Sequence, residues 1–133
     1  MRKKRVFVSF DFDNDRNLKE FFVSQSKLEE SPFEITDYSL IEAAPHWSWV
    51  VKTTNAIRRS ETVVVIVGTK TYCAPGVLRE IAIARREEKR VIQIAGYKNV
   101  FCRSVAGAGF VYEWSWANLK KLLDPSRPGS HHG

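Results

Sequence analysis

Thr62-Val63-Val64-Val65-Ile66-Val67-Gly68 is the stretch on which the fold turns. Five consecutive β-branched residues, 63–67, have no polar interruption, so the segment reads as a strand buried on both faces at the centre of a parallel sheet. Upstream, residues 5–10 read as a first strand. Asn14 or Asp15 is placed to cap a following helix whose apolar stripe is Leu18, Phe21 and Phe22. Residues 33–38 follow Pro32, alternate apolar with polar and read as a second strand nearer an edge, then 39–47 as a loop. Val50, Thr54 and Ile57 recur at helical spacing within 49–60. Downstream, 69–76 reads as a turn, and a helix opens at Val77 and runs into the charged segment 85–90. Residues 91–95 read as a fourth strand, 110–112 as a short fifth, and 115–123 as a helix capped by Ser115. Strands alternating with helices are the signature of an α/β protein with a parallel sheet.

Composition narrows the class. The 133 residues suit one domain, with 44% hydrophobic and 27% charged residues, and need no disulfide or metal support for a core. Residues 1–123 are expected to form that domain and the Pro/Gly/Ser-rich 124–133 a flexible tail. The longest apolar run, 63–67, is far short of the roughly 20 residues that span a bilayer. Asp11 and Asp13 interrupt the apolar stretch behind the basic start, as no signal peptide would allow. Cys73 and Cys102, the two cysteines, lack metal-ligand spacing and fit reduced thiols in the cytoplasm, with Cys73 read as a small packed thiol. No metal is expected. A net charge of +6 favours anionic partners, yet the basic blocks 2–5 and 85–90 lack interleaved aromatics and make a poor nucleic-acid surface.

In an open parallel sheet, ligands bind outside the carboxyl ends of the strands, so the informative segments are 11–15, 39–49, 69–80 and 96 onward. No phosphate-cradling glycine motif follows any strand, which excludes the common nucleotide folds. Gly68-Thr69 stands where a receiver domain needs its phosphoacceptor aspartate.

Val6-Phe7-Val8-Ser9-Phe10-Asp11-Phe12-Asp13-Asn14-Asp15 resembles the first strand and loop of TIR-like domains, with the Ser-Phe pair and the Asp in place. Ser60-Glu61-Thr62-Val63-Val64-Val65-Ile66-Val67-Gly68 resembles their third strand. Thr71-Tyr72-Cys73-Ala74-Pro75-Gly76-Val77-Leu78-Arg79-Glu80-Ile81 is similar to their S-x-W-C-x-x-E-L region, with Tyr72 for the usual Trp and Pro75-Gly76-Val77 inserted between Cys and Glu. The resemblance is strongest to the TIR-like subgroup of bacterial Thoeris antiphage systems. It implies a flavodoxin-like three-layer sandwich with about five strands in the order 2-1-3-4-5. It implies NAD as substrate rather than cofactor, cleavage of the nicotinamide glycosidic bond to ADP-ribose or a cyclic ADP-ribose signal, self-association, and an effector protein that senses the product.

Glu80 is then the candidate catalytic residue. The nicotinamide leaving group departs neutral and needs no general acid, so one carboxylate can do what ordinary glycosidases divide between two. On a helical wheel with Val77, Leu78, Ile81, Ala82 and Ala84 as the core stripe, Glu80 falls roughly 100° from the centre, at the edge. Its plainer alternative is an early-helix acid favoured by the macrodipole. Asp11 can contact ribose hydroxyls or serve as a turn residue. Trp47, Trp49 and His46 can stack on a ring. Trp49 reads as core and Trp47 as the stacking candidate. Lys70 can meet a pyrophosphate or stay solvated. Phe10, Ser39, Thr69 and Tyr72 are substrate-binding candidates by position. Two rival functions keep the fold: a non-catalytic TIR-like interaction module, and a nucleoside 2-deoxyribosyltransferase-like enzyme, whose glutamate helix residues 76–84 also resemble and in which Glu80 would be the nucleophile.

Overall fold

The computed structural model describes residues 3–39 and 46–124. The C-terminal tail expected over 124–133 falls outside these, apart from Asp124. The elements are β1 (Lys4–Ser9), α1 (Arg16–Ser26), β2 (Phe33–Tyr38), α2 (His46–Arg58), β3 (Thr62–Val67), α3 (Pro75–Arg86), β4 (Arg90–Ala95), β5 (Val111–Glu113) and α4 (Trp116–Leu122), with a short 3-10 turn at Thr71–Cys73. The strands form one sheet in the order β2-β1-β3-β4-β5, every pairing parallel. This is the expected α/β, flavodoxin-like, three-layer arrangement, with every residue of β3 buried at its centre.

Strand alternation sorts the core into two layers. Val6, Val8 and Phe10 point with Val64, Ile66 and Ile94 towards Leu18 and Phe22 of α1 and Leu119 and Leu122 of α4. Phe7 points with Val63, Val65 and Val67 to the other face, where Trp49 and Ile57 of α2 and Val77 and Ile81 of α3 cover the sheet. Ser115 caps α4 by accepting the Asn118 N–H at 3.1 Å.

Three sequence expectations shift. α2 begins at His46, not 49, because Trp49, 3% exposed under the Arg79 guanidinium, anchors its first turn on the core. Trp47 is therefore a helical residue; of the expected loop, 40–45 lies outside the described residues. Phe21 is largely exposed and rests on the Trp114 ring at 5.3 Å, so the α1 stripe is Leu18 and Phe22. On α3 the buried residues are Val77, Glu80, Ile81, Ile83 and Ala84, whereas Leu78 and Ala82 are exposed. The buried face is thus centred near Ile81 and Glu80, and Glu80 lies within it rather than at its edge.

Candidate active site

β1 ends where the chain order of the sheet reverses: β1 lies between β2 and β3, so the loops leaving β1 and β3 diverge to opposite sides and open a crevice. Ser9 is the last residue of β1 and shares the face of Phe7, towards α3. Ser39 reaches the same face through a one-residue bulge in β2. Val6 pairs with Ile35 but Phe7 with Asp37, leaving Thr36 as the extra residue, its hydroxyl donating to the Val6 carbonyl at 3.1 Å. Without that residue the alternation would turn Ser39 to the opposite side of the sheet.

Glu80 meets both serines. Its Oε1 accepts the Ser9 and Ser39 hydroxyls, each at 2.6 Å, and the residue is 1% exposed. Ser39 Oγ in turn accepts the Phe10 backbone N–H at 3.1 Å, and the Ser39 N–H donates to the Val8 carbonyl at 2.9 Å. The carboxylate is thereby tied to the carboxyl ends of β1 and β2 by two serine hydroxyls, which orient it.

Above it opens a cleft of about 360 Å³ lined by residues 10–13, Ser39, residues 74–77 and Glu80. Asp11 and Asp13 stand on one wall and the first turn of α3, begun by Pro75 at its N-terminus, on the other. Asp11 accepts the Asp13 N–H at 3.2 Å and the Asn14 side-chain amide at 2.6 Å, so it is a turn residue and a lining residue at once.

Of the sequence-predicted site residues, Phe10, Asp11, Ser39 and Glu80 come together around this cleft, and Trp47, Thr69, Lys70 and Tyr72 stand outside its lining. Trp47 is 72% exposed on α2. Thr69 and Lys70 are exposed in the turn after β3. The ring of Tyr72 carries the Arg103 guanidinium at 4.6 Å. Cys73, expected to pack, is exposed because the 3-10 turn lifts it off the sheet; its Sγ reaches the Lys70 carbonyl at 3.4 Å. Among the described residues no group of three or more His, Cys, Asp or Glu side chains could hold a metal ion, and no helix is long and apolar enough to cross a membrane. The sequence places Asp13 and residues 74–77 in the rim segments without singling them out, and does not place Ser9 in the site. The signal for Ser9 was available: it is the one uncharged polar residue of β1 on the face of Phe7, at the strand's carboxyl end.

A sequence model described as Thoeris protein ThsB, TIR-like domain, matches residues 7–99. The chain belongs to this family. The matched span runs from β1 through the Glu80 helix to the loop after β4 and so contains every residue that lines the cleft. No curated protein matches the chain. Among solved structures, the CMP N-glycosidase BcmB of Clostridium botulinum superposes with a TM-score of 0.56 at 19% identity, covering 90% of this chain and 98% of that one. An NADPH-quinone reductase from P. pentosaceus superposes more loosely, with a TM-score of 0.41 at 12% identity over 91% of this chain and 74% of that one. With its strand order of 2-1-3-4-5, the Thoeris TIR-like domain described here is built on a flavodoxin-like frame.

Proposed function

We propose that this Thoeris TIR-like domain cleaves the nicotinamide glycosidic bond of NAD, giving ADP-ribose or a cyclic ADP-ribose signal for a product-sensing effector in antiphage defence. The observation that carries the reading is the Glu80 carboxylate, held by two serine hydroxyls on the floor of an open cleft. As the bond to the pyridinium nitrogen breaks, its electron pair goes to the ring, nicotinamide leaves neutral and positive charge develops on the ribose. A carboxylate at ~4 Å, with an effective dielectric of ~20, stabilises such a charge by roughly 4 kcal/mol. That corresponds to about a thousandfold in rate. Asp11 and Asp13 on the cleft wall favour a cationic ring in the ground state, and the N-terminus of the twelve-residue α3 offers N–H groups to an anionic group beside it. The cleft lies at the small end of ligand pockets, ~300–1,000 Å³. It suits the nicotinamide riboside half, with the adenosine half extending beyond it. Water attacking the ribose gives ADP-ribose; a nucleophile from the adenosine half gives the cyclic product.

A second reading draws on the size of the cleft and on BcmB, whose name gives it a mononucleotide substrate: hydrolysis of a nucleotide's N-glycosidic bond, with Glu80 as nucleophile. The experiment that separates the two incubates the protein with NAD, with CMP, and with a deoxynucleoside plus a free base, and follows the released or exchanged base by chromatography. Nicotinamide from NAD alone is the expected result. Cytosine from CMP, or an exchanged base, with NAD intact would replace the reading by the second, and no product at any protein concentration would leave a non-catalytic interaction module.

A further inference from the structure

Asp15 lies outside the cleft lining, 2% exposed, at the cap position of α1. A capping aspartate normally uses its side chain on the first-turn N–H groups of its helix, and Asp15 does not. Its carboxylate is directed across the molecule instead. Oδ1 accepts the Tyr97 hydroxyl at 3.0 Å from the loop after β4, and Oδ2 accepts the Thr71 hydroxyl at 3.5 Å. Thr71 Oγ1 also accepts the Gly68 N–H at 2.7 Å. The carboxylate packs so closely on Gly68 that a Cβ there would fall 2.2 Å from Oδ2.

We propose that Asp15 is a positioning residue of the cleft, joining the two loops that carry its facing walls. On its own side the Asp15 N–H donates to the Asp11 carbonyl at 2.8 Å, and Asp11 organises Asp13 and Asn14 through its carboxylate. Any shift of Asp15 therefore moves the Asp11–Asp13 wall. On the other side Gly68 and Thr71 are the start of the segment that places residues 74–77 and the first turn of α3. Residues 11 and 74 face each other across the cleft, and Asp15 is where their loops touch. The inference rests on the reading of the Glu80 cleft as the active site.

Burial, and then the neighbouring Asp11 carboxylate, hold the Asp15 carboxyl above the usual range, against the opposing pull of the Tyr97 and Thr71 hydroxyls. The groups facing it are Asp11 on its own loop, the Tyr97 phenol from the β4 loop and the neutral Thr71 hydroxyl. A carboxyl whose folded pKa is raised destabilises the folded state when ionised, and this cost disappears as pH falls below its unfolded value. A buried carboxyl whose ionisation is disfavoured and that is tied to both walls of a cleft fits a positioning role better than a purely structural one.

The test compares Asp15→Asn and Tyr97→Phe with the parent protein by hydrogen exchange, thermal unfolding between pH 4 and 7, and nicotinamide release. Asp15→Asn is expected to melt at or above the parent temperature at pH 7, with the difference shrinking towards pH 4. In both variants residues 11–14 and 68–77 should exchange faster, while β3 and α4 stay protected. The kcat for nicotinamide release should fall about 10–100-fold, as for a misplacement of the order of 1 Å, with a smaller change in KM. Faster exchange at only one of the two segments, or at neither, in the variant that folds would overturn the proposal. If the parent releases no nicotinamide, the reading of the cleft fails and the exchange at the two loops decides the proposal by itself.

Discussion

Glu80 occupies the middle of a buried helical face, where a carboxylate is costly unless donors meet it. Ser9 and Ser39 meet it, but they are not equivalent. Ser9 supplies a hydroxyl from the end of β1, whereas Ser39 supplies a hydroxyl to Glu80 and also an acceptor for the Phe10 N–H. Ser39→Ala leaves both the carboxylate short of a donor and a buried N–H without its acceptor, which costs ~1–3 kcal/mol. Ser9→Ala removes one interaction only. Urea unfolding of the two variants is expected to rank Ser39→Ala as the more destabilised; equal losses, or the reverse order, would count against the hydrogen-bond assignment. At this scale the sequence was partly legible. Glu80, Ser39, Asp11 and Phe10 could be selected because they sit at strand ends or helix starts on the rim. Asp15 could not be selected for its contacts, because its partner Tyr97 is 82 residues away and only the folded sheet brings the two together.

Among the elements, α3 explains both the success and the error of pattern reading. Its existence follows from apolar spacing and from Pro75 at its start, yet its phase was misjudged by counting Leu78 and Ala82 as core. Apolar side chains on an exposed face and a carboxylate on the buried face both mislead a hydrophobicity wheel. The end of α3 also departs from local preference. Glu87 closes the helix and the exposed Glu88 takes the left-handed conformation, φ 58°, with the Lys89 N–H returning to the Ala84 carbonyl at 2.8 Å. This is the position that favours glycine, and a non-glycine residue in it costs roughly 1–2 kcal/mol. Glu88→Gly is expected to raise stability by about 1 kcal/mol, a melting temperature higher by a few degrees, with no change in the cleft; thermal unfolding measures it. The edge strand β2 carries the other element-scale device, the Thr36 bulge, which no alternation pattern predicts because a bulge is a break in alternation.

For the molecule as a whole, the parallel α/β class and the central place of β3 were legible because β3 is uniformly β-branched and the helices between strands carry apolar stripes, while the strand order was implied by the family resemblance. The β4–β5 crossover was less so, because a loop replaces the helix. Val105 and Ala108 of that loop are buried in the core layer of α2 and α3, pinned by Gln93, which accepts the Val105 N–H at 2.9 Å and donates to the Gly109 carbonyl at 2.8 Å. The charge distribution makes a separate prediction. The chain carries a net charge of +6 while the cleft wall bears Asp11 and Asp13, so on the proposed function the net charge would attract a pyrophosphate-bearing substrate and the cleft itself would favour a cation. Steady-state rates of NAD cleavage from low to 0.5 M salt are therefore expected to show kcat/KM falling several-fold, with kcat nearly constant, as screening shortens to a few Å. A salt-independent kcat/KM would argue against electrostatic attraction of the substrate.

In the proposed reaction a single carboxylate, positioned by two serines, stabilises the charge that develops as the nicotinamide bond breaks. Glu80→Gln keeps the size of the side chain and an oxygen to accept the serine hydroxyls while removing the charge. The most direct measurement is the rate of nicotinamide release from NAD by the parent protein and by Glu80→Gln, each confirmed as folded by its melting curve. A loss of about a thousandfold is expected; release from the variant within a few-fold of the parent rate would show that the Glu80 charge does not carry the reaction.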